Sequence, residues 1–222
     1  MRASTTNCMG ISLLLIAFSA QGQSPYEQRI LNQRDSTDRK IMSRDDDFGK
    51  SVAKNGGLNY FPIASDYVID AQFILVNNGE VKTLKTKAAN FTTNYIPYAI
   101  LKFTMKGIAC ELTAFRDGPV AENKDYNIAV GADGQPLEWD STSIVESLFL
   151  PFSDHTTGET TYGGGRYMDV DLSKVENDRI TLDFNLCYNP SCAYYDNALC
   201  PIPPKENDLS MKVEAGVKAW KD

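Results

Sequence analysis

The chain has 222 residues, of which 42% are hydrophobic and 23% charged, with 15 Gly and 10 Pro. This composition is typical of a globular protein and excludes a collagen, a coiled coil and a wholly disordered chain. The 22 Lys and Arg against 29 Asp and Glu give a net charge of −7. We therefore expect no nucleic-acid partner, because a polyanion would be repelled on average.

The N-terminus has the pattern of a secretory signal peptide. Arg2 is followed by an apolar run from Ile11 to Phe18 and then by small and polar residues. Cleavage after Gly22 places small residues, Gly22 and Ala20, at positions −1 and −3. The apolar run is about half of the 20 residues that span a bilayer, so we expect no stable membrane anchor. The sequence predicts an exported protein, periplasmic or secreted.

Four cysteines remain after this cleavage: Cys110, Cys187, Cys192 and Cys200. An oxidising compartment permits disulfides, and four thiols allow three complete pairings. Cys192 and Cys200 flank a short proline-rich segment, so we predict a disulfide between them, with four reduced buried thiols as the alternative. The spacings contain no C-x-x-C pair and the one His is distant, so we expect no metal site.

An N-terminal helix is predicted from Ser24 to Met42. Ser24 is suited to the N-cap, Pro25 to the first helical position and Glu27 to the reciprocal capping bond. We expect an interruption of this helix near Asp35 to Asp38 and a loop over residues 45–49. Its weak apolar face predicts a helix lying on the outside of the domain.

The remaining pattern is one of short alternating runs separated by turn residues, which is typical of antiparallel strands. With a signal peptide over 1–22 and a helix and linker over 23–49, residues 50–222 form the predicted β-rich domain. We expect an antiparallel barrel or sandwich of about eight strands with an N-terminal helix. The predicted strands are Tyr67–Val76, Val81–Thr86, Tyr98–Phe103, Ala109–Phe115, a short Tyr126–Val130, Ile144–Leu150, Tyr167–Leu172, Ile180–Tyr188 and Ser210–Ala219.

Three hairpin turns are predicted between these strands. The first is Asn77-Asn78-Gly79, the second Met105–Gly107 and the third the polar segment Ser173–Asp178. The third would pair the strand that begins at Tyr167 with the strand that begins at Ile180.

A glycine-rich loop is the first candidate binding site. Gly163, Gly164 and Gly165 could direct backbone N–H groups at an anion, and Arg166 behind them would add a charged, bidentate donor. The alternative is that the glycines serve backbone conformation only and that Arg166 pairs with an acid such as Asp169.

The polar face of the strand from Ile180 is the second candidate. Asp183 and Asn185 alternate with apolar residues, and they either line a cleft or simply face water. Asn189 follows in the same segment.

Familiar catalytic patterns are mostly excluded. A Ser-His-Asp triad would depend on His155 alone, and no G-x-S-x-G motif is present. The glycine run lacks the Lys-Ser/Thr that follows in a P-loop. Glu159 and Asp183 could form a carboxylate pair, which leaves a hydrolase open.

A long ordered series of motifs between residues 50 and 218 resembles the bacterial domain-of-unknown-function family numbered sixteen-eighty-four. The resemblance implies no established activity, substrate or cofactor, but it implies that these polar positions share a site or a scaffold. The stretch 117–142 is longer and more irregular than the family pattern. The motifs are Tyr60-Phe61-Pro62, Leu148-Phe149-Leu150-Pro151-Phe152, Asp154, Thr156, Gly158, Glu159, Thr160, Tyr162, Gly165-Arg166-Tyr167, Leu182-Asp183-Phe184-Asn185, Tyr188-Asn189-Pro190, Cys192-Ala193, Cys200-Pro201, Pro203-Pro204 and Glu206-Asn207.

The leading hypothesis is an exported β domain that binds a small polar or anionic ligand. A hydrolase that uses Glu159 or Asp183 and a purely structural or interaction module are the alternatives. The ligand-binding residues predicted from the sequence are Glu159, Tyr162, Gly163, Gly164, Gly165, Arg166, Asp183, Asn185 and Asn189.

The predicted cleavage site can be tested directly. Because only the cut after Gly22 satisfies the small-residue rule without placing Phe18 at −3, the mature protein should begin at Gln23. Intact mass of the exported protein measures this, and a species that retains residues 1–22 or carries a lipid would contradict it.

Overall fold

The computed structural model describes residues 24–76, 79–88, 91–119, 145–195 and 199–220. It contains a curled half-barrel sheet of eight strands preceded by an N-terminal helix, which confirms the predicted fold class. The elements are α1 (Pro25–Met42), α2 (Asp47–Asn55), β1 (Val68–Leu75), β2 (Lys82–Lys85), β3 (Thr92–Met105), β4 (Ile108–Asp117), β5 (Ser147–Asp154), β6 (Arg166–Asp171), β7 (Arg179–Asp183) and β8 (Asp208–Leu209).

Helix α1 begins at the predicted capping box. Ser24 Oγ accepts from the Glu27 N–H (3.2 Å), and the Glu27 carboxylate accepts from the Ser24 N–H (2.9 Å). The expected interruption is absent, since the helix is continuous to Met42. Asp35 and Arg39 instead form an i,i+4 ion pair, which stabilises a helix rather than breaking it.

The loop expected over residues 45–49 is partly a second helix. Asp46 is the N-cap of α2 and accepts from the Gly49 N–H (2.8 Å), while Gly56 ends the helix with a φ of +75°. The acidic residues that suggested a loop are therefore capping residues.

The sheet has the strand order β6-β5-β4-β3-β1-β7, with β2 also paired to β3 and the short β8 to β5. The hairpin predicted at Met105–Gly107 joins β3 to β4, with positive φ at Lys106 and Gly107. The hairpin predicted between β1 and β2 is wrong because both strands pair with β3, end to end along it. Asn77 and Asn78 lie outside the described residues, as does the short strand expected at Tyr126–Val130.

The predicted pairing of β6 with β7 is also wrong. These strands stand at opposite ends of the strand order, and no pairing joins them in the described part of the chain. Strand β7 ends at Asp183, where a 3-10 turn over Phe184–Leu186 begins, well before the predicted end at Tyr188.

The last predicted strand, Ser210–Ala219, is mostly irregular. Residues 210–220 contain a single bridge, between Val217 and Tyr60. The side chains of Val213 and Ala215 are nevertheless fully buried in the core with the inward-facing side chains of the sheet. Among the described residues, no helix has the length and apolar character needed to cross a membrane.

Candidate functional site

The two end strands of the sheet flank a short gap. Residues 172–178 connect β6 to β7 at one end of this gap. At the other end the chain returns to β6, where Tyr167 and Tyr188 exchange two backbone hydrogen bonds of 2.9 Å. The gap is therefore closed at both ends, by the 172–178 connection and by the Tyr167–Tyr188 bridge. About four residues of β6 and of β7 line its two sides.

Helix α1 lies over this gap and leaves a groove of about 730 Å³ between itself and the sheet. One face of the helix, spaced by three or four residues, forms the roof, and β6, β7 and the segment after β7 form the floor and walls. The lining residues are Tyr26, Arg29, Gln33, Thr37, Ile41, Leu58, Val68, Met168, Asp169, Val170, Asp171, Lys174, Ile180, Thr181, Leu182, Asp183, Leu186, Tyr188, Asn189 and Tyr194.

The carboxylate of Asp183 is the centre of the polar contacts in the groove. It accepts from the Tyr26 hydroxyl (3.0 and 3.1 Å to its two oxygens) and from the N–H and Nδ2 of Asn185 (both 3.1 Å). An Arg29 guanidinium nitrogen lies 3.6 Å away. Burial, and then the neighbouring Asp183 charge, raises the pKa of Tyr26 to about 12, so the hydroxyl stays a donor at neutral pH.

Asn185 lies just behind the groove wall and joins three parts of the chain. Its Oδ1 accepts from the Ala64 N–H (3.0 Å), and its Nδ2 donates to the Ala64 carbonyl and to the Tyr26 hydroxyl (2.9 Å each). The side-chain amide thus bonds both backbone groups of Ala64, as a neighbouring strand would. Strand β7 ends at Asp183, two residues before Asn185, where these side-chain bonds begin. Its backbone carbonyl also accepts from Arg34 of α1 (3.4 Å).

Asn189 and Tyr188 form the wall next to β6. Asn189 Nδ2 donates to the Lys218 carbonyl (2.9 Å), while its buried Oδ1 has no hydrogen-bond partner within the described ranges. The Tyr188 hydroxyl donates to Asp169 (2.9 Å), and burial raises the pKa of Tyr188.

Arg166 does not fit the predicted role of anion contact, because its side chain is fully buried. It donates to Asp154 (2.8 Å) and to the carbonyls of Val213 (2.8 Å) and Ala215 (2.5 Å). Asp154 in turn accepts from the backbone N–H groups of Thr156 (2.7 Å) and Val213 (3.2 Å). The pairing expected in the structural alternative exists, but its acid is Asp154 rather than Asp169.

The glycine loop is a connection rather than a groove wall. The Gly165 N–H donates to the Tyr162 carbonyl (3.1 Å), and Gly164 packs against the Tyr162 ring. Gly165 has a φ of +81°, and a Cβ there would lie 2.7 Å from the Phe152 carbonyl oxygen. Backbone conformation and close packing therefore account for this glycine.

Glu159 and Tyr162 also lie outside the residues that line the groove. Glu159 is exposed and bonds Lys212 (2.7 Å), which lowers the pKa of its carboxyl group. The Tyr162 hydroxyl donates to the Cys192 carbonyl (2.9 Å). Of the predicted residues, Asp183 and Asn189 line the groove and Asn185 supports it.

Cys192 and Cys200 are neighbours, and the structure records no disulfide between them. The Cys192 N–H donates to Cys200 Sγ (3.1 Å), and burial raises the pKa of the Cys200 thiol to about 12. The predicted disulfide between them stays a prediction.

Sequence reasoning did not assign Tyr26 and Arg29 to the site. The available signal was the spacing of Tyr26, Arg29, Gln33 and Thr37 on one face of a helix whose only buried residue is Ile30. The weak apolar face predicts only that the helix lies on the outside of the domain, and the structure shows that its polar face covers a groove.

The chain is thus a small β domain whose curled sheet stays open between β6 and β7, beneath the N-terminal helix α1. Residues 54–218 match the family described as a protein of unknown function, DUF1684, and the chain belongs to that family. It is also similar to the solution structure of the uncharacterized protein from gene locus rrnAC0354 of Haloarcula marismortui, with 31% identity and a TM-score of 0.61 over 87% of this chain and 94% of that chain. No curated protein matches the sequence.

Removal of the buried Arg166 guanidinium tests its structural role. Arg166→Met should lower the free energy of unfolding by about 3–5 kcal/mol, because Asp154 would remain buried without its cation. Urea unfolding followed by circular dichroism measures this change.

Arg179→Met is the matched control, since Arg179 forms an exposed pair with Asp70. Exposed pairs contribute little, so this variant should lose much less stability. Equal losses in the two variants would contradict the assignment.

Proposed function

We propose that this chain is an exported protein that binds a small polar molecule in the groove beneath α1. The observation that carries the proposal is the groove itself, whose volume of about 730 Å³ lies within the range of small-molecule sites. Its walls combine apolar side chains with a few convergent polar groups, as is usual for such sites.

Arg29 is the group best suited to contact the ligand. Its side chain is 58% exposed, and the carboxylate that it approaches, Asp183, already accepts from Tyr26 and Asn185. A guanidinium has five N–H donors in a planar fork. Arg29 can therefore donate to a carboxylate or another acceptor while it stays near Asp183.

The opposite wall favours a ligand that also carries donors. Asn189 Oδ1 is an acceptor without a partner in the described part of the chain, and a buried acceptor of this kind is costly unless a donor satisfies it. A molecule with both donors and acceptors is thus the best match for the groove.

The hydrolase alternative gains no support from Glu159. A catalytic acid needs a raised pKa inside a cleft, whereas Glu159 is exposed and its pKa is lowered by Lys212. A structural module remains the second candidate, because Arg166 pairs with Asp154 and the side-chain amide of Asn185 bonds Ala64, so both polar groups have partners within the protein.

Ligand binding should stabilise the protein against heat. In a screen of organic acids, amino acids, sugars and sugar phosphates, a ligand at 100 times its Kd should raise the Tm by about 5–10 °C. Arg29→Gln should weaken binding by about tenfold, because a charged hydrogen bond is lost.

Arg39→Gln is the control for this experiment, since Arg39 lies on the same helix, is exposed and pairs with Asp35. It should bind like the parent protein. If no compound raises the Tm of the parent, the structural module is correct and the binding proposal fails.

Export would also expose the Cys192 and Cys200 thiols to an oxidising compartment. We expect these neighbours to be joined by a disulfide in protein recovered from outside the cytoplasm and to be free in protein made in a reducing cytoplasm. Peptide mapping without reduction distinguishes the two, with Cys110 as the internal control. Free Cys192 and Cys200 in the exported, alkylated protein would contradict the expectation.

A further inference from the structure

The end strands offer unpaired backbone groups to the groove. In an antiparallel pair, residues alternate between those that bond the partner strand and those whose N–H and C=O point away from it. Leu172 donates its N–H to Glu146 next to β5, and Tyr167 bonds Tyr188 on the opposite side. The odd-numbered residues of β6, including Asp169, therefore direct their backbone groups into the gap.

The same alternation applies to β7. Phe73 of β1 donates to the Asp178 carbonyl, so the even-numbered residues of this segment face β1. Thr181 then directs its N–H and C=O away from β1 and toward the gap. No hydrogen bond between described residues engages these groups of Asp169 or Thr181.

Two facing edges with free N–H and C=O groups match a ligand that has amide groups of its own. An extended peptide adds to a sheet edge through such main-chain bonds. The gap is closed at both ends, by residues 172–178 and by the Tyr167–Tyr188 bridge, so a long strand cannot pass through it. Four residues of strand span about 13 Å, which limits the ligand to two or three residues.

The Arg29 guanidinium lies at one end of the gap and favours a ligand that carries a negative charge there. It lies beside Asp183, two residues from Thr181, a distance of about 7 Å along an extended strand. This is the separation between the α-carboxylate of a peptide and the amides one to two residues before it. We propose that the groove takes peptides of two or three residues with a free α-carboxylate, an inference that rests on the proposed function.

In this arrangement the ligand carboxylate accepts from Arg29 and the ligand amides exchange hydrogen bonds with the edges at Asp169 and Thr181. The ligand contributes donors as well as acceptors, as the two edges require. The ligand carboxylate then lies away from Asp169 and near Asp183, whose charge is compensated by the Tyr26 hydroxyl, the Asn185 N–H and the Arg29 guanidinium.

The test uses the mature chain and N-acetylated dipeptides with small, apolar, acidic and basic side chains. Titration calorimetry gives the Kd, and amide chemical shifts of ¹⁵N-labelled protein report on Asp169 and Thr181. For a peptide that binds, the C-terminal carboxamide should bind about tenfold more weakly. An analogue with an ester in place of the central amide should bind about threefold more weakly or worse.

Both analogues change only the ligand, so the outcome does not depend on whether a protein variant folds. Arg29→Gln should abolish the preference for the carboxylate over the carboxamide, and Arg39→Gln should retain it. Amide-free acids such as hexanoate that bind as tightly as the peptides, without shifting Thr181 or Asp169, would overturn the inference and leave the proposed function standing. If neither peptides nor any compound of the wider screen binds, both proposals fail.

Discussion

The buried ion pair of Arg166 and Asp154 is the constraint on which the groove depends. Arg166 is the first residue of β6 and donates hydrogen bonds to the carbonyls of Val213 and Ala215, while Asp154 accepts from the Val213 N–H. A buried charge must be paired and hydrogen-bonded, so the irregular C-terminal segment has one position in which these bonds form. This segment then reaches the irregular stretch after α2, where the Gly216 carbonyl accepts from the Phe61 N–H.

The position of α1 follows from the same set of contacts. Arg34 donates to the Phe61 carbonyl (2.9 Å) and to the Asn185 carbonyl (3.4 Å), and its guanidinium stacks on Tyr60. Phe61 therefore links the two parts: its N–H donates to Gly216 of the C-terminal segment, and its carbonyl accepts from Arg34 of α1. The roof of the groove is fixed by hydrogen bonds to backbone carbonyls, which leaves the face of α1 toward the groove free to be polar.

Local signals in the sequence were sufficient for features that form locally. The capping box at Ser24 and the turn before Gly107 involve residues within a few positions of each other, and both formed as predicted. The alternation over Ile180–Tyr188 predicted a longer strand because the reason for its end is distant: the amide of Asn185 bonds Ala64, 121 residues away in the chain.

The same limit explains the two errors that concern the candidate site. Three glycines followed by Arg166 are compatible with an anion contact, but the carbonyls that accept from this guanidinium belong to residues 47 and 49 positions later. Two consecutive alternating strands are typical of a hairpin, yet β6 and β7 do not pair. The backbone of Tyr167 in β6 instead exchanges two hydrogen bonds with Tyr188. Asp183 lines the groove, and the sequence pointed to this residue because a carboxylate within a predicted strand needs partners.

The weak amphipathicity of α1 has a physical explanation in this arrangement. Ile30 alone is buried in the helix, so apolar burial contributes little to its position, and tertiary packing normally supplies most of the stability of a helix in a protein. The capping box, the Arg34 bonds and the Tyr26 hydroxyl on Asp183 replace that packing. The helix is therefore positioned by polar contacts at a few defined residues, and its side toward the groove needs no apolar surface to stay in place.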